Sequence, residues 1–343
     1  MFDIYFYVVD PGAVSVMYPV WELARKNGMN IGWIAEGYAA KYFHKQDINF
    51  VTDVNKFIRQ SKGKEKLLFG SQTNFGRTVR LIREANKKKI RTYFLFDHWC
   101  NYEKHFKIGD GFEFPSGYIM VMNELAGSEV RKMGVPADKV KIVGHPGIEK
   151  TIELYKSFEA TGKTKKQILF LSEPIEKDLG YDKSKKSVLG YTEYSILNFF
   201  LSEILVLHGK FSNCSIIIKP HPRENVNKIE KQIVSYKNNL NIKIGNINSP
   251  VQLIFQSEYV IGITTVLLLY AMAIGKKVAS IQVNRNMRGK ECSNIYLESI
   301  LVKDRQDLIK MFGERYNYNY DFHLPKNSAD RILSILFGYG DHI

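Results

Sequence analysis

Five residues at the end of an apolar run carry the strongest chemical signal in the chain. In Ser215-Ile216-Ile217-Ile218-Lys219-Pro220-His221-Pro222-Arg223-Glu224, an apolar run stops at two prolines that flank a histidine. Each proline locks its own φ and biases the preceding residue away from helix, so His221 is held in place. A histidine that donates one hydrogen bond, set between the cations Lys219 and Arg223, suits the oxygens of a phosphate. The pair Thr264-Thr265 stands between two apolar runs. If it opens a helix, its free N–H groups add a second anion site, although plain N-capping by a threonine accounts for it too. Ser172-Glu173 follows a third run, Ile168-Leu169-Phe170-Leu171, where the carboxylate could meet a base or ribose hydroxyl or simply cap a turn.

Groups able to move a proton are fewer. Asp97-His98 follows Phe94-Leu95-Phe96, and either side chain is a candidate general base. In a continuing strand the two would point to opposite faces, so only one would act. Further candidates stand at other strand ends: Asp10 with Gly12, Glu36, and Gly144-His145, the last as a hinge or ligand contact.

These residues require strands that end where they stand. Apolar runs at Asp3–Val9, Asn30–Ile34, Leu67–Gly70, Thr92–Phe96, Tyr118–Met122 and Val140–Val143 alternate with helical spacing, as in Val16, Val20, Leu23 and Ala24. A second alternation starts at Ile168 and continues through Ser215–Lys219, Asn241–Ile244, Tyr259–Gly262 and Lys277–Ile281. Short apolar strands with helical crossovers predict parallel sheets covered on both faces. The fold class expected is α/β, with two Rossmann-like doubly wound domains facing a central cleft. Residues 1–150 form the first domain, 151–167 a lysine-rich linker, 168–327 the second domain, and 328–343 a final helix that crosses back to the first. In such sheets ligands bind beyond the carboxyl ends of the strands, where the residues named above lie.

The totals narrow the class. With 343 residues, two domains are the default, and 45% apolar against 24% charged residues is a soluble balance. No run is long enough to cross a bilayer, and residues 1–10 lack a secretion signal, so a cytoplasmic location is expected. Cys100, Cys214 and Cys292 are isolated, and no Asp-rich motif appears, which predicts neither disulfides nor a metal. The net charge of +14 suits an anionic partner: a phosphorylated substrate or the inner face of an anionic membrane. No RNA-binding signature or finger spacing points to nucleic acid.

Taken together, Lys219-Pro220-His221-Pro222 and Thr264-Thr265 resemble the His-Pro and Ser/Thr motifs of GT-B glycosyltransferases. The nearest group holds bacterial sialyl- and polysialyltransferases, capsule Kdo transferases and CDP-glycerol glycerophosphotransferases. The resemblance covers about Ile168 to Ile281 by motif and the first domain by architecture. It implies that both loops grip the phosphate of a cytidine-linked donor, with no cofactor beyond that nucleotide sugar. It departs at the base: relatives with paired acids before a glycine contrast with Asp97-His98-Trp99 here, and Asp110-Gly111 lies in a loop. The activity expected is inverting, metal-independent transfer of a nonulosonic acid or Kdo from a CMP-sugar to a glycan or lipid-linked acceptor. His221 would stabilise the departing phosphate. The rivals are CDP-glycerol glycerophosphate transfer, a UDP-sugar transferase or 2-epimerase, and a non-catalytic scaffold for polysaccharide assembly.

Overall fold

The computed structural model describes residues 2–162, 164–181, 187–211, 213–245, 249–291, 295–313, 320 and 323–338; Cys292 and residues 339–343 lie outside them. The chain divides into two compact units, Met1–Lys150 with His323–Ile343, and Thr151–Phe322. Each is a doubly wound α/β unit built on a six-stranded parallel sheet.

Unit 1 contains β1 (Ile4–Val8), β2 (Ile31–Ala35), β3 (Lys66–Gly70), β4 (Arg91–Leu95), β7 (Ile119–Val121) and β8 (Val140–Ile142) in the order β2-β1-β3-β4-β7-β8. A small antiparallel hairpin, β5 (Lys107–Ile108) with β6 (Gly111–Phe112), stands apart, and its turn carries Asp110 exposed and away from any sheet end. Every residue of β2 is buried, as expected for a strand covered on both faces. The helix Pro11–Lys26 starts with proline at its first position, where the missing N–H costs nothing, and ends at Asn27-Gly28, with Gly28 at φ +72°. It buries Val16, Met17, Val20 and Trp21, and Trp21 meets Trp33 of β2 at 5.9 Å. The helix Ser328–Phe337 completes this core with Ile332, Leu333 and Leu336, while Lys66 Nζ donates to the Leu336 carbonyl at 2.6 Å. Gly144, at φ +87°, makes room for that return: a Cβ there would stand 2.4 Å from the Pro325 carbonyl.

Unit 2 contains β9 (Lys165–Leu171), β10 (Ser215–Lys219), β11 (Ile242–Ile244), β12 (Ser257–Gly262), β13 (Lys277–Ile281) and β14 (Leu301–Val302), ordered β11-β10-β9-β12-β13-β14. Phe170 of β9 pairs with Ile218 of β10 on one side and Ile261 of β12 on the other. The stretch expected as a linker is instead the helix Pro146–Thr161 followed by the start of β9. Lys165 and Lys166 fall in β9, while in the helix Tyr155 and Phe158 pack on Phe255 at 5.2 and 5.5 Å. The division of the chain falls at 322/323 rather than at 327/328. Among the described residues no helix is long and apolar enough to cross a membrane.

Candidate functional site

In unit 1 the strand order reverses between β1 and β3, and the loops there are tied together. Asp10 Oδ2 accepts the Thr73 N–H at 2.7 Å. Glu36, just past β2, accepts the Tyr7 hydroxyl at 3.1 Å and pairs with Arg77 at 2.5 and 2.8 Å. Burial, then the charge of Glu36, drives the Tyr7 hydroxyl pKa upward, so this tyrosine stays protonated and able to donate to Glu36. Asp10 and Glu36 thus both have structural partners.

Asp97 and His98 do not point apart, because β4 stops at Leu95 and the chain turns. His98 Nδ1 lies 2.6 Å from Asp97 Oδ1. Burial works against the charged carboxylate, yet the charge and hydrogen bond of His98, with smaller help from Ser71 and His145, bring Asp97 down to about 2. An ionised Asp97 only accepts, so Nδ1 of His98 carries a proton, and in the neutral form of His98 the lone pair is on Nε2. Gly12 makes this placement feasible. A Cβ at Gly12 would come 1.7 Å from Asp97 Oδ2, so only glycine lets the carboxylate rest on the first turn of the helix Pro11–Lys26. The positive end of that helix favours the negative charge.

His145 clamps the same residue from behind. It is fully buried, its Nδ1 accepts the Ile148 N–H at 3.2 Å, and its Nε2 donates to the Asp97 carbonyl at 3.2 Å. Burial lowers its pKa to about 4, so it is a neutral structural clamp rather than a hinge. Trp99 stacks on it at 5.6 Å with 7° between the rings and donates from Nε1 to Asn123 Oδ1 at 3.1 Å. Next to the pair sits His105, fully buried, with neither ring nitrogen hydrogen-bonded. Phe75, Phe94 and Phe96 enclose it at 4.7, 5.2 and 5.3 Å, and the His98 ring lies 5.4 Å away. Burial keeps it neutral, and each unsatisfied buried nitrogen costs about 1–3 kcal/mol.

In unit 2 the order reverses between β9 and β12, and Glu173 spans the gap. Its carboxylate accepts the Thr264 N–H at 2.5 Å and the Thr264 hydroxyl at 2.9 Å. Burial outweighs these bonds and raises its pKa to about 7. The two threonines do not open the helix, which is Leu267–Ala273 with Val266 at its N-cap; Thr265 Oγ1 accepts the Leu267 N–H at 3.3 Å. The hydroxyls therefore sit in the turn ahead of the helix, and the anion-binding groups of Thr264 already hold Glu173.

The proline loop after β10 is built around Glu224. That carboxylate accepts the Ser172 hydroxyl at 2.6 Å and the His221 backbone N–H, and burial raises its pKa to about 7. His221 Nδ1 accepts the Arg223 N–H at 3.2 Å. Burial first, then Arg223, Lys219 and Lys177, lower the His221 pKa to about 4. His221 is therefore neutral with its proton on Nε2, a single fixed donor. Lys219 Nζ donates to the Pro220 carbonyl at 3.3 Å, and burial lowers its pKa. Pro222 is exposed. Arg223 departs from expectation: its guanidinium is bidentate on Asp178 at 2.6 and 2.8 Å, turned to an acid rather than left for a phosphate.

The structure thus brings Gly12, Asp97, His98 and His145 together in unit 1, with Gly144 serving the return helix. In unit 2 it joins Ser172 to the His221 loop and Glu173 to Thr264. Sequence reasoning missed Glu224, whose signal was its place three residues after His221, and Asp178, which had none. It also missed His105, a lone histidine between Lys104 and Phe106. Among the described residues no group of three or more His, Cys, Asp or Glu is arranged to hold a metal ion.

No family model and no curated protein matches the chain. Solved structures do. The UDP-GlcNAc 2-epimerase of Methanocaldococcus jannaschii aligns at TM-score 0.65 and 16% identity, over 98% of this chain and 99% of its own. That of Neisseria meningitidis, bound to UDP-GlcNAc, aligns at TM-score 0.68 and 14% identity with the same coverage. Anabaena Alr3699/HepE, in complex with UDP and glucose, aligns at TM-score 0.56 and 10% identity, over 99% of this chain and 98% of its own. At these identities the likeness establishes the fold, the two-domain GT-B-like α/β architecture that the sequence predicts.

Proposed function

We propose that the chain is a nucleotide-sugar enzyme that uses a UDP-linked donor and transfers the sugar to a hydroxyl of a glycan or lipid-linked glycan. The observation that carries the reaction type is the Asp97–His98 contact of 2.6 Å. It leaves His98 Nε2 as a base while a permanent carboxylate supports the imidazolium that forms. The acceptor hydroxyl loses its proton to His98 Nε2 as its oxygen bonds the anomeric carbon. The bond from that carbon to the phosphate oxygen breaks, and the sugar inverts. Within unit 2, His221 Nε2–H and the Lys219 ammonium are the groups suited to the charge of a leaving diphosphate.

Uridine replaces the cytidine expected from the sequence because UDP-GlcNAc, UDP and glucose are the ligands named for the solved neighbours. Those neighbours also favour a second reading, 2-epimerisation. Inverting a carbon by proton removal and return takes a proton-transfer group on each face. Asp10 and Glu36 are tied to Thr73 and Arg77, Glu173 to Thr264, and Glu224 to Ser172 and the His221 N–H, which leaves the dyad and favours transfer.

Thermal unfolding with UDP, UDP-GlcNAc, CMP, CDP and GDP tests the donor. A nucleotide present at a hundred times its Kd adds about 2.7 kcal/mol of stability. UDP and UDP-GlcNAc should stabilise the wild type, and His221→Ala should lose that gain and the turnover while staying folded. Stabilisation by CMP alone would restore the cytidine donor, and a response to none of them would favour the non-catalytic scaffold. Product analysis by NMR separates UDP release from inversion at C2.

A further inference from the structure

The box around His105 would suit phenylalanine better than histidine. Phe75, Phe94, Phe96 and Phe106 line it, and the ring is fully buried with both nitrogens unpaired. A polar group in such a place works against stability, and rule-breaking of this kind concentrates where function demands it. The polar ring that meets His105 is His98, at 5.4 Å and 49°. We propose that His105 is a positioning residue for His98, a neutral imidazole whose dipole supports the proton that His98 takes up.

The unpaired nitrogens are what make this role workable. A neutral imidazole has one N–H and one lone pair, and a hydrogen bond elsewhere would dictate which nitrogen carries which. His145 and His221 are fixed in that way by Ile148 and Arg223. His105 has no such commitment, so it is free to turn its lone pair toward a cation on His98. The charged and titratable groups near the pair are Asp97, hydrogen-bonded to His98, Lys104, next to His105 in the chain, and neutral His145, bonded to the Asp97 carbonyl. Burial and the like charge of a protonated His98 both oppose a second proton on His105, so it acts as a dipole and never as an acid.

The proposal rests on reading His98 as the base, and its test needs no substrate. The His98 imidazole resonances are titrated by NMR in the wild type and in His105→Phe, and thermal unfolding is measured on the same samples. In His105→Phe the Tm should hold or rise, while the His98 midpoint moves to lower pH by roughly half a unit or more. With an active donor, kcat should fall several-fold at unchanged KM, and the acidic limb of the pH profile should follow the midpoint down. His105→Leu removes the same polarity and takes the place of the first variant if that one does not fold. An unmoved His98 midpoint in the folded variant makes His105 a core filler and overturns the inference, whatever the turnover. A moved midpoint without any UDP-sugar turnover upholds it and sinks the proposed reaction instead.

Discussion

In unit 1, Asp10 reaches from the end of β1 to the Thr73 N–H beyond β3; in unit 2, Glu173 reaches from the end of β9 to Thr264 beyond β12. Each acid bridges the point where the strand order of its sheet reverses, the usual ligand crevice of a doubly wound fold. The surroundings differ. Unit 1 places a permanent anion one strand over, Asp97 at about 2, seated on a helix N-terminus that Gly12 leaves open. Unit 2 gathers two carboxyls, Glu173 and Glu224, that burial holds near 7. One unit fixes a charge beside a histidine. The other fills its donors with carboxyls that titrate near neutrality.

The largest break in this contrast should come from Gly12→Ala. Its Cβ would overlap Asp97 Oδ2, so the carboxylate must leave the helix end or the helix must shift. Denaturant unfolding should show a loss of about 1–3 kcal/mol, and the His98 imidazole should lose its Asp97-bound Nδ1–H resonance. Unchanged stability with that resonance intact would contradict the geometry.

The pH response of the two units comes next in size. Folded Asp97 ionises below the unfolded value, and His145 and His105 stay neutral where unfolded histidines are protonated. The unfolded chain therefore holds more protons from about pH 2 to 6.5, and unit 1 gains stability as pH rises through that window. Glu173 and Glu224 do the opposite: their contribution is full below the unfolded value near 4.5 and is lost as pH rises through about 7. His221 opposes them only below 6.5 or so. Native-state hydrogen exchange, corrected for intrinsic rates, should show protection in β9 falling from pH 5.5 to 7.5 while β4 holds or gains. Glu173→Gln should flatten the β9 slope, and parallel slopes in both units would dissolve the comparison.

The smallest effect should come from Arg223→Ala. Its pair with Asp178 is about one-third exposed on both sides, so stability should change by no more than about 1 kcal/mol. UDP affinity should fall less than in His221→Ala, since the guanidinium is already occupied. An equal loss in both would return Arg223 to the phosphate.

Much of this was readable beforehand where burial on two faces writes long apolar runs. β10 and β13 occupy the very spans Ser215–Lys219 and Lys277–Ile281 that those runs predict. The helix over 151–161 was hidden because Glu153, Lys156, Ser157 and Glu159 stand among the few aromatic residues that pack. At the sites, residue types were legible and partnerships were not. Glu173 and Thr264 lie 91 residues apart, and Arg223 and Asp178 lie 45 apart, distances at which local pattern carries no information. The Asp97–His98 contact is local but depended on a strand ending one residue earlier than its apolar run.

The helix Ser328–Phe337 has a consequence for how the molecule is made. Ile332, Leu333 and Leu336 belong to the same core as Val16, Val20 and Trp33, yet they leave the ribosome some three hundred residues later. Until then the nascent first unit exposes the apolar face meant for them, and the second unit is synthesised in full during that wait. The order of completion is thus the reverse of the order of synthesis: unit 2, begun second, is able to close first.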